Sequence, residues 1–390
     1  MIYLDYNATT PVDPRVLDTM LPYFSTVYGN AASNDHQFGL DAKRAVDKAR
    51  SKIATLINAR PDEIIFTSGA TESDNIAIFG IAEKYAHKGR HIITCVSEHK
   101  AVLDACHKLE RDGNRHGIYD ITYLPVDQYG LVDPEAVRQT ITPQTILISI
   151  MAANNEIGTI APIAKIGAIA AEHDIFFHTD AAQAGGHIPL DVQAMNIHIL
   201  SLSAHKMYGP KGIGVLYRRR SNPRVQLEPV IYGGGHERGL RSGTLNVPAI
   251  VGFGEAARIA RKEMAAEDER FRAWTQQMYH SFEQELGQIQ LNGHPTQRLA
   301  HNLNISIPKI KARALIPQLK NVAIATGSAC TSAEVKPSHV IQALGFGDER
   351  AHSALRISVG RFNTDGEVET TVSQIIQTVQ QLREINQIMV

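Results

Sequence analysis

The strongest constraint in the sequence is a regular alternation of short apolar runs with helix-like segments between Ile64 and Tyr217. The runs lack the apolar–polar alternation of a half-exposed strand, so they predict strands that are buried on both faces of a sheet. Repetition of strand, helix and strand predicts right-handed crossovers, a mostly parallel sheet and hence an α/β fold. The predicted strands are residues 64–68, 91–96, 121–126, 145–151, 174–179, 198–203 and 214–219, and the helix-like segments include 73–87 and 163–173.

A different pattern follows Val251. Five apolar residues recur at helical spacing and predict a long amphipathic helix: Phe271, Trp274, Met278, Phe282 and Leu286. Shorter strands are predicted at 302–307, 322–326 and 355–359, before a last helix that carries an apolar stripe from Val368 to Leu382. These segments predict a smaller α+β unit after the large sheet.

Charge and composition exclude several classes of protein. The chain of 390 residues has 39 Lys and Arg against 40 Asp and Glu, which argues against a dedicated binder of nucleic acid or of an anionic membrane. No apolar run approaches the roughly 18 residues of a membrane span, and the N-terminus, with Asp5 and no basic or apolar stretch, does not predict a secretory signal. The three cysteines are far apart, so neither a disulfide framework nor a zinc ribbon is predicted. We therefore expect a cytoplasmic protein.

Two charged side chains stand at the ends of successive predicted strands. Ligands of parallel sheets bind at the loops that follow the carboxyl ends of the strands, and Asp180 and Lys206 both lie there. The pair could simply be an ion pair that closes two loops. Alternatively, a lysine forms a Schiff base with pyridoxal phosphate (PLP) and an aspartate keeps its pyridine nitrogen protonated. The sequence therefore makes PLP a candidate cofactor.

A phosphate group requires a cradle, and small residues precede a helix after the first predicted strand. Gly69, Ala70 and Thr71 lie where backbone N–H groups at a helix N-terminus are free to bind an anion. Such residues occur in many strand-to-helix turns, so this signal alone is weak. Ser203 and His205 flank the lysine and offer further donors. The phosphate-binding motifs of the common nucleotide folds are absent.

Further polar residues follow two other predicted strands. His99 is placed to stack on a flat cofactor and to exchange protons near neutral pH, although most histidines of a chain are surface or hydrogen-bonded residues. Asn154 and Asn155 either satisfy a turn or donate to a ring hydroxyl or a substrate group.

Cys330 differs from the other two cysteines. It lies in a run of small residues without apolar periodicity, which predicts an accessible loop, whereas Cys95 and Cys106 fall in a strand and on a helix face, where a buried, inert thiol is expected. A free thiol is only a few per cent thiolate at neutral pH, so catalysis by Cys330 would require a nearby base or cation.

Arg356 is a charged residue inside an apolar predicted strand. An interior guanidinium requires a partner, for which a bidentate carboxylate is well suited. The partner is either a ligand carboxylate or a residue of the other domain in a salt bridge.

In combination, eight motifs resemble the cysteine desulfurases of the IscS/NifS type, in the class-V aminotransferase family. The motifs are residues 3–10, 69–73, 97–99, 154–156, 180–183, 203–206, 241–244 and 327–332. The resemblance implies a fold-type I PLP-dependent transferase, with a large α/β domain over 16–250 and a small α+β domain of 1–15 plus 251–390 that carries a mobile loop with the catalytic cysteine. It also implies a homodimer that converts L-cysteine to L-alanine and retains the sulfur as an enzyme persulfide.

The resemblance further implies a role for each matching residue. Lys206 matches the Schiff-base lysine, Cys330 the nucleophile that accepts sulfur, His99 the stacking acid/base and Asp180 the partner of the pyridine nitrogen. Arg356 matches the residue that holds the substrate carboxylate. The remaining cofactor contacts are Asn155 and Gln183 at the ring oxygen, Asn155 also at the substrate, and Ala70, Thr71, Ser203, His205 and, from the partner subunit, Thr244 at the phosphate.

The resemblance does not decide whether the sulfur acceptor is an iron–sulfur scaffold or a tRNA or DNA thiolation protein. We expect this protein to bind neither nucleic acid nor a membrane directly. No intrinsic metal is expected, and Cys330 is a candidate for transient shared ligation of an iron–sulfur cluster.

Two rival functions stay open. One is another fold-type I activity, such as selenocysteine lyase or aminotransferase, and the other is a sulfur-carrier or assembly subunit that works by docking a partner.

Overall fold

A computed structural model describes residues 1–326 and 337–388 of the chain. Its strands are β1 (Ile2–Tyr3), β2 (Ile64–Thr67), β3 (His91–Cys95), β4 (Asp120–Leu124), β5 (Thr145–Ser149), β6 (Phe176–Asp180), β7 (Ile199–Ser203), β8 (Gly214–Arg218), β9 (Gln290–Leu291), β10 (Asn302–Ser306), β11 (Val322–Ala323) and β12 (Ala354–Ser358). Its α-helices are α1 (Pro14–Met20), α2 (Pro22–Ser25), α3 (Gln37–Leu56), α4 (Ala70–Tyr85), α5 (Lys100–Arg111), α6 (Pro134–Thr140), α7 (Ile163–Glu172), α8 (Val247–Leu286), α9 (Ala312–Leu315), α10 (His339–Ala343), α11 (Gly347–Ser353) and α12 (Asp365–Ile388).

The large sheet has seven strands in the order β2-β8-β7-β6-β5-β3-β4. Consecutive strand residues pack on opposite faces: Ile92 and Phe176 belong to one apolar core, and Ile93 and Phe177 belong to the other. The prediction of strands buried on both faces is therefore confirmed. Five of the seven predicted strands run one to two residues past the observed carboxyl end, because the flanking residues leave the ladder where each loop begins. In contrast, β4 begins one residue earlier and β6 ends one residue later than predicted.

One strand departs from the parallel arrangement. β8 runs antiparallel to both of its neighbours, β2 and β7. The connection from β7 to β8, residues 204–213, is too short for a crossover helix, so the chain returns in the opposite direction. The carboxyl ends of β2, β3, β5, β6 and β7 still lie at the same edge of the sheet, which brings the loops that follow them together.

A close backbone approach positions the loop after β2. A Cβ atom on Gly214 would lie 2.5 Å from the Cα atom of Gly69 and 2.7 Å from the carbonyl oxygen of Leu202. Position 214 therefore tolerates only glycine without a displacement of the loop that starts α4.

A second core lies around the three-stranded antiparallel sheet β12-β10-β9. It packs the C-terminal half of α8 and the inward face of α12 on this sheet, and it includes Leu4 from the N-terminal segment. The N-terminal half of α8 belongs to the core of the large sheet, so this helix of 40 residues joins the two cores. The boundaries at residues 16 and 251 stay a prediction. None of the helices in the described parts of the chain is both long and apolar enough to cross a membrane.

Candidate active site

A cavity of about 680 Å³ opens at the edge of the large sheet where the carboxyl ends of its parallel strands meet. Ten of the residues predicted for the site line it: Ala70, Thr71, His99, Asn155, Asp180, Gln183, Ser203, His205, Lys206 and Arg356. These residues come from positions up to 286 apart in the chain: the large-sheet region contributes nine of them, and β12 of the second sheet contributes Arg356. The cavity is therefore the candidate active site.

The amine of Lys206 is held at the cavity by backbone carbonyl groups of the N-terminal segment. Its Nζ atom donates to the carbonyl oxygen of Asn7 at 2.6 Å and to that of Ala8 at 2.8 Å. Burial, with the nearby Arg356 charge, lowers the pKa of Lys206 to about 8. About one tenth of the amine is then uncharged at pH 7, roughly 300-fold more than for an ordinary lysine. Lys206 is thus prepared to act as a nucleophile.

Asp180 ends β6 as a buried carboxyl group. Its Oδ1 atom accepts a hydrogen bond from the backbone N–H of Ala182 at 2.9 Å. Burial, with a further contribution from the Asp74 carboxyl group of α4, raises the pKa of Asp180 to about 6. A cation placed against this carboxylate would be stabilised, because both groups would be shielded from water. The simple ion pair between Asp180 and Lys206 is not observed among the salt bridges of the described residues.

His99 caps the N-terminus of α5. Its Nδ1 atom accepts a hydrogen bond from the backbone N–H of Ala101 at 3.2 Å, which places the proton of the neutral ring on Nε2. The ring is exposed to the cavity, yet the protein atoms around it lower the pKa of His99, while Asp180 opposes this effect. The cap thus sets which nitrogen can give or take a proton in the neutral state.

One end of the cavity is suited to a phosphate group. Gly69, Ala70 and Thr71 line it at the N-terminus of α4, a helix of 16 residues, and a Cβ atom on Gly69 would meet nothing within 4 Å. Open space at a helix N-terminus is an anion site. The pKa of His205 is lowered to about 4 by burial and by Lys206, so its ring is neutral, and its Nδ1 atom contacts Thr9 Oγ1 at 3.1 Å.

The two asparagines have different environments. Asn154 satisfies a turn, because its Oδ1 atom accepts from the backbone N–H groups of Glu156 and Ile157 at 2.8 and 3.0 Å. Asn155, in contrast, lines the cavity. Gln183 also lines it, with its side-chain amide paired to Asn7 through two hydrogen bonds of 2.9 Å.

Arg356 lies beside the cavity and forms a salt bridge, although not the predicted one between domains. Its side chain lines the cavity and is only 6% exposed. Its Nη2 atom donates to Asp5 Oδ1 at 2.7 Å and its Nη1 atom donates to the carbonyl oxygen of Asn155 at 3.0 Å. The salt bridge connects residues that we place in the same predicted domain, whereas the second contact reaches the loop after β5.

Two predicted site residues are not brought to the cavity by the described chain. Thr244 is exposed and does not line it, and Cys330 lies outside the described residues. The remaining cysteines, Cys95 and Cys106, are fully buried. Burial raises the pKa of Cys95 well above its usual value and that of Cys106 to about 12, which agrees with the prediction of inert thiols.

Several residues at the site were not predicted from the sequence. Asn7 is 1% exposed; its carbonyl oxygen accepts a hydrogen bond from Lys206, and its side-chain amide donates one to Gln183. Asp5 forms an ion pair with Arg356. Glu156 and His339 also line the cavity. Asn7 and Asp5 lie in the motif at residues 3–10, and membership of that motif is the sequence feature that could have identified them as site residues.

The fold and the site define a class of enzyme. The chain belongs to the class-V aminotransferases, whose family model, described as aminotransferase class-V, matches residues 2–371. Members of this family are in general PLP-dependent, and the predicted α/β fold of the fold-type I class is confirmed by solved structures of NifS-like proteins.

Particular relatives narrow the class. The chain is 51% identical to the cysteine desulfurase IscS of Anaeromyxobacter dehalogenans (strain 2CP-C) over 385 residues, which cover 99% of this chain and 94% of that protein. Its fold matches a structure described as a NifS-like protein with a TM-score of 0.89 at 35% identity, over 97% of this chain and 99% of the other. It also matches SspA in complex with cysteine, with a TM-score of 0.79 at 39% identity, over 93% and 100% of the two chains.

Proposed function

We propose that this protein is a PLP-dependent cysteine desulfurase, a sulfurtransferase that converts L-cysteine to L-alanine and retains the sulfur as a persulfide on Cys330. The observation that carries the proposal is one cavity that joins the amine of Lys206, the buried carboxyl group of Asp180 and the guanidinium of Arg356. The relationship to proteins named cysteine desulfurase supports the same reaction.

The residues of the cavity fit PLP. The cofactor presents a phosphate, an aldehyde and a pyridine nitrogen, and the cavity offers a helix N-terminus with open space at Gly69, an amine with a pKa of about 8 and the buried carboxyl group of Asp180. Its volume of about 680 Å³ lies within the usual range for cofactor sites. When bound, PLP supplies an aldehyde for the amine and a conjugated ring that accepts electrons from the substrate.

Each residue then has a binding task. Lys206 would hold the aldehyde carbon, Asp180 would hold the ring nitrogen with its proton, and His99 would stack on the ring. Asn155 and Gln183 would hold the ring oxygen. The phosphate would be held by Ala70 and Thr71 at the N-terminus of α4, by Ser203 and His205, and by Thr244 of the partner subunit.

The reaction also needs proton transfer and a sulfur acceptor. His99 exchanges a proton at Nε2, because Nδ1 is occupied by the Ala101 N–H group. Arg356 and Asn155 hold the substrate so that its carboxylate faces the guanidinium. The Cys330 thiolate attacks the substrate sulfur, forming the S–S bond of the persulfide as the substrate carbon–sulfur bond breaks. The substrate carbon keeps the electron pair of the broken bond and takes up a proton, which yields L-alanine.

The proposal extends to assembly and delivery. We propose a cytoplasmic homodimer in which each subunit contributes Thr244 to the cavity of the other. The persulfide of Cys330 is then passed to an acceptor protein for iron–sulfur cluster assembly or for tRNA or DNA thiolation. The proposal requires direct binding neither of nucleic acid nor of a membrane.

Replacement of Cys330 by alanine tests the sulfur acceptor. We expect Cys330→Ala to abolish the persulfide and to lower formation of alanine and sulfide from L-cysteine by on the order of 10³-fold or more, because no other described thiol is accessible. The visible absorbance of the bound cofactor should remain. Alanine and sulfide are measured in a cofactor-loaded sample, and the persulfide by mass spectrometry.

Cys106→Ala is the matched control, because Cys106 is a buried cysteine on α5 away from the cavity. This variant should retain turnover within a few-fold. Full activity of Cys330→Ala would show that the nucleophile is wrongly assigned, and wild-type protein that produces no alanine from L-cysteine would refute the proposed function.

The lowered pKa of Lys206 predicts a pH dependence of cofactor attachment. Only the uncharged amine attacks an aldehyde, so the rate of attachment to cofactor-free protein should rise about tenfold per pH unit below pH 8 and level off above it. An ordinary lysine would level off only above about pH 10. The fraction of Lys206 labelled after borohydride reduction measures the rate, and a plateau above pH 10 would contradict the lowered pKa.

A further inference from the structure

The guanidinium of Arg356 already has a carboxylate partner within the chain. Asp5 Oδ1 lies 2.7 Å from Arg356 Nη2, and the side chains of Asp5 and Arg356 are 21% and 6% exposed. Of the two residues, only Arg356 lines the cavity. Asp5 therefore contacts the guanidinium outside the surface that a ligand in the cavity would meet.

Hydrogen bonds of the backbone hold both partners in place. Asp5 forms a parallel bridge with Ser358 of β12, and its carbonyl oxygen accepts from the hydroxyl group of Tyr3 at 2.9 Å. The N–H and C=O groups of Arg356 are bonded to Ala325 at 2.7 and 3.1 Å. Because the backbones of both residues are anchored, the Asp5 carboxylate stays close to the guanidinium when a ligand carboxylate binds, and the two carboxylates share its charge.

The charge of Asp5 also reaches the interior of the cavity. Asp5 raises the pKa of Lys206, in opposition to the larger lowering effects of burial and Arg356. A negative charge that affects the lysine amine must also reduce the attraction between Arg356 and an incoming anion. Arg356, Asp180 and Asp5 all act on the charge of Lys206, and Glu156, which also lines the cavity, interacts electrostatically with Arg356.

We propose that Asp5 is a positioning residue that acts through Arg356 and weakens the binding of carboxylates there by neutralising part of its charge. The role rests on the proposed function, because substrate and product carry the same carboxylate. L-Alanine keeps this group after sulfur has left, so an Arg356 without the charge of Asp5 beside it would retain the product. Asp5 keeps carboxylate binding strong enough to orient L-cysteine and weak enough to release L-alanine.

Binding of propionate to the cofactor-loaded protein tests the role of Asp5. Propionate has the carboxylate of the substrate without its amine or thiol, and propionamide has the same shape without the charge. We expect Asp5→Asn, which keeps an oxygen acceptor for Arg356, to lower the dissociation constant of propionate about tenfold in calorimetric titrations and to leave propionamide unaffected. Inhibition by L-alanine should strengthen in parallel.

Asp18→Asn removes the same charge from an exposed position on α1 and should change neither constant. Thermal unfolding verifies the fold of each variant, and Asp5→Ala, which removes charge and acceptor together, repeats the test if Asp5→Asn does not fold. Unchanged or weaker propionate binding in a folded Asp5 variant overturns the inference. If the wild-type protein converts L-cysteine, that outcome does not affect the proposed function.

Discussion

Lys206→Ala is expected to lower the conversion of L-cysteine by on the order of 10⁴-fold or more and to remove the covalent attachment of PLP. The reason is that Lys206 supplies the uncharged amine at the cavity, where its Nζ atom is held by the carbonyl groups of Asn7 and Ala8. Turnover is measured as alanine released, and attachment as the mass added to the Lys206 peptide after borohydride reduction.

Lys165→Ala is the control for this variant, because Lys165 is an exposed lysine on α7. It should retain both turnover and attachment. Borohydride labelling of a different lysine, or turnover by Lys206→Ala close to that of wild type, would contradict the assignment of Lys206.

Asp180→Asn is expected to reduce turnover by about 10²- to 10³-fold while the protein still binds PLP. At about 3 Å and an effective dielectric constant near 20, the attraction between a carboxylate and a protonated ring nitrogen is roughly 5 kcal/mol before the cost of desolvation. A net loss of about 3 to 4 kcal/mol corresponds to the expected decrease in rate. Steady-state kinetics and the visible spectrum of the bound cofactor together measure the effect.

The matched control for Asp180 is the second buried carboxyl group nearby. Asp74 lies on α4, is fully buried, and its pKa is raised to about 7 by burial, but it does not line the cavity. Asp74→Asn should change turnover by less than about tenfold and should lower the pKa of Asp180, because it removes a neighbouring negative charge. Equal losses in the two variants would mean that Asp180 acts only by maintaining the buried core.

Local sequence is sufficient to predict the large sheet and much of the site. Runs of apolar residues on both faces identify buried parallel strands, and residues just after such strands must lie at one edge. This rule alone places Asp180, Lys206, His99 and the N-terminus of α4 together at that edge. It does not predict the reversal of β8, because an apolar run by itself does not define the direction of a strand.

The contacts of the N-terminal segment lie beyond the reach of local patterns. Asn7 pairs with Gln183 across 176 positions of the chain, and Asp5 pairs with Arg356 across 351. Neither residue belongs to a periodic pattern that would reveal its partner. For the same reason, the sequence leaves Arg356 divided between a salt bridge and a ligand site, whereas the structure shows an ion pair beside the cavity.

The order of residues along the chain thus determined the kind of secondary structure, the buried faces of the strands and the chemical groups available at their ends, because these depend on neighbours a few positions apart. Tertiary structure decided which groups meet, how far burial lowers the pKa of Lys206 and raises that of Asp180, and that Arg356 shares its charge with Asp5. Those properties depend on distance and exclusion of water, which arise only when segments far apart in the chain pack against one another.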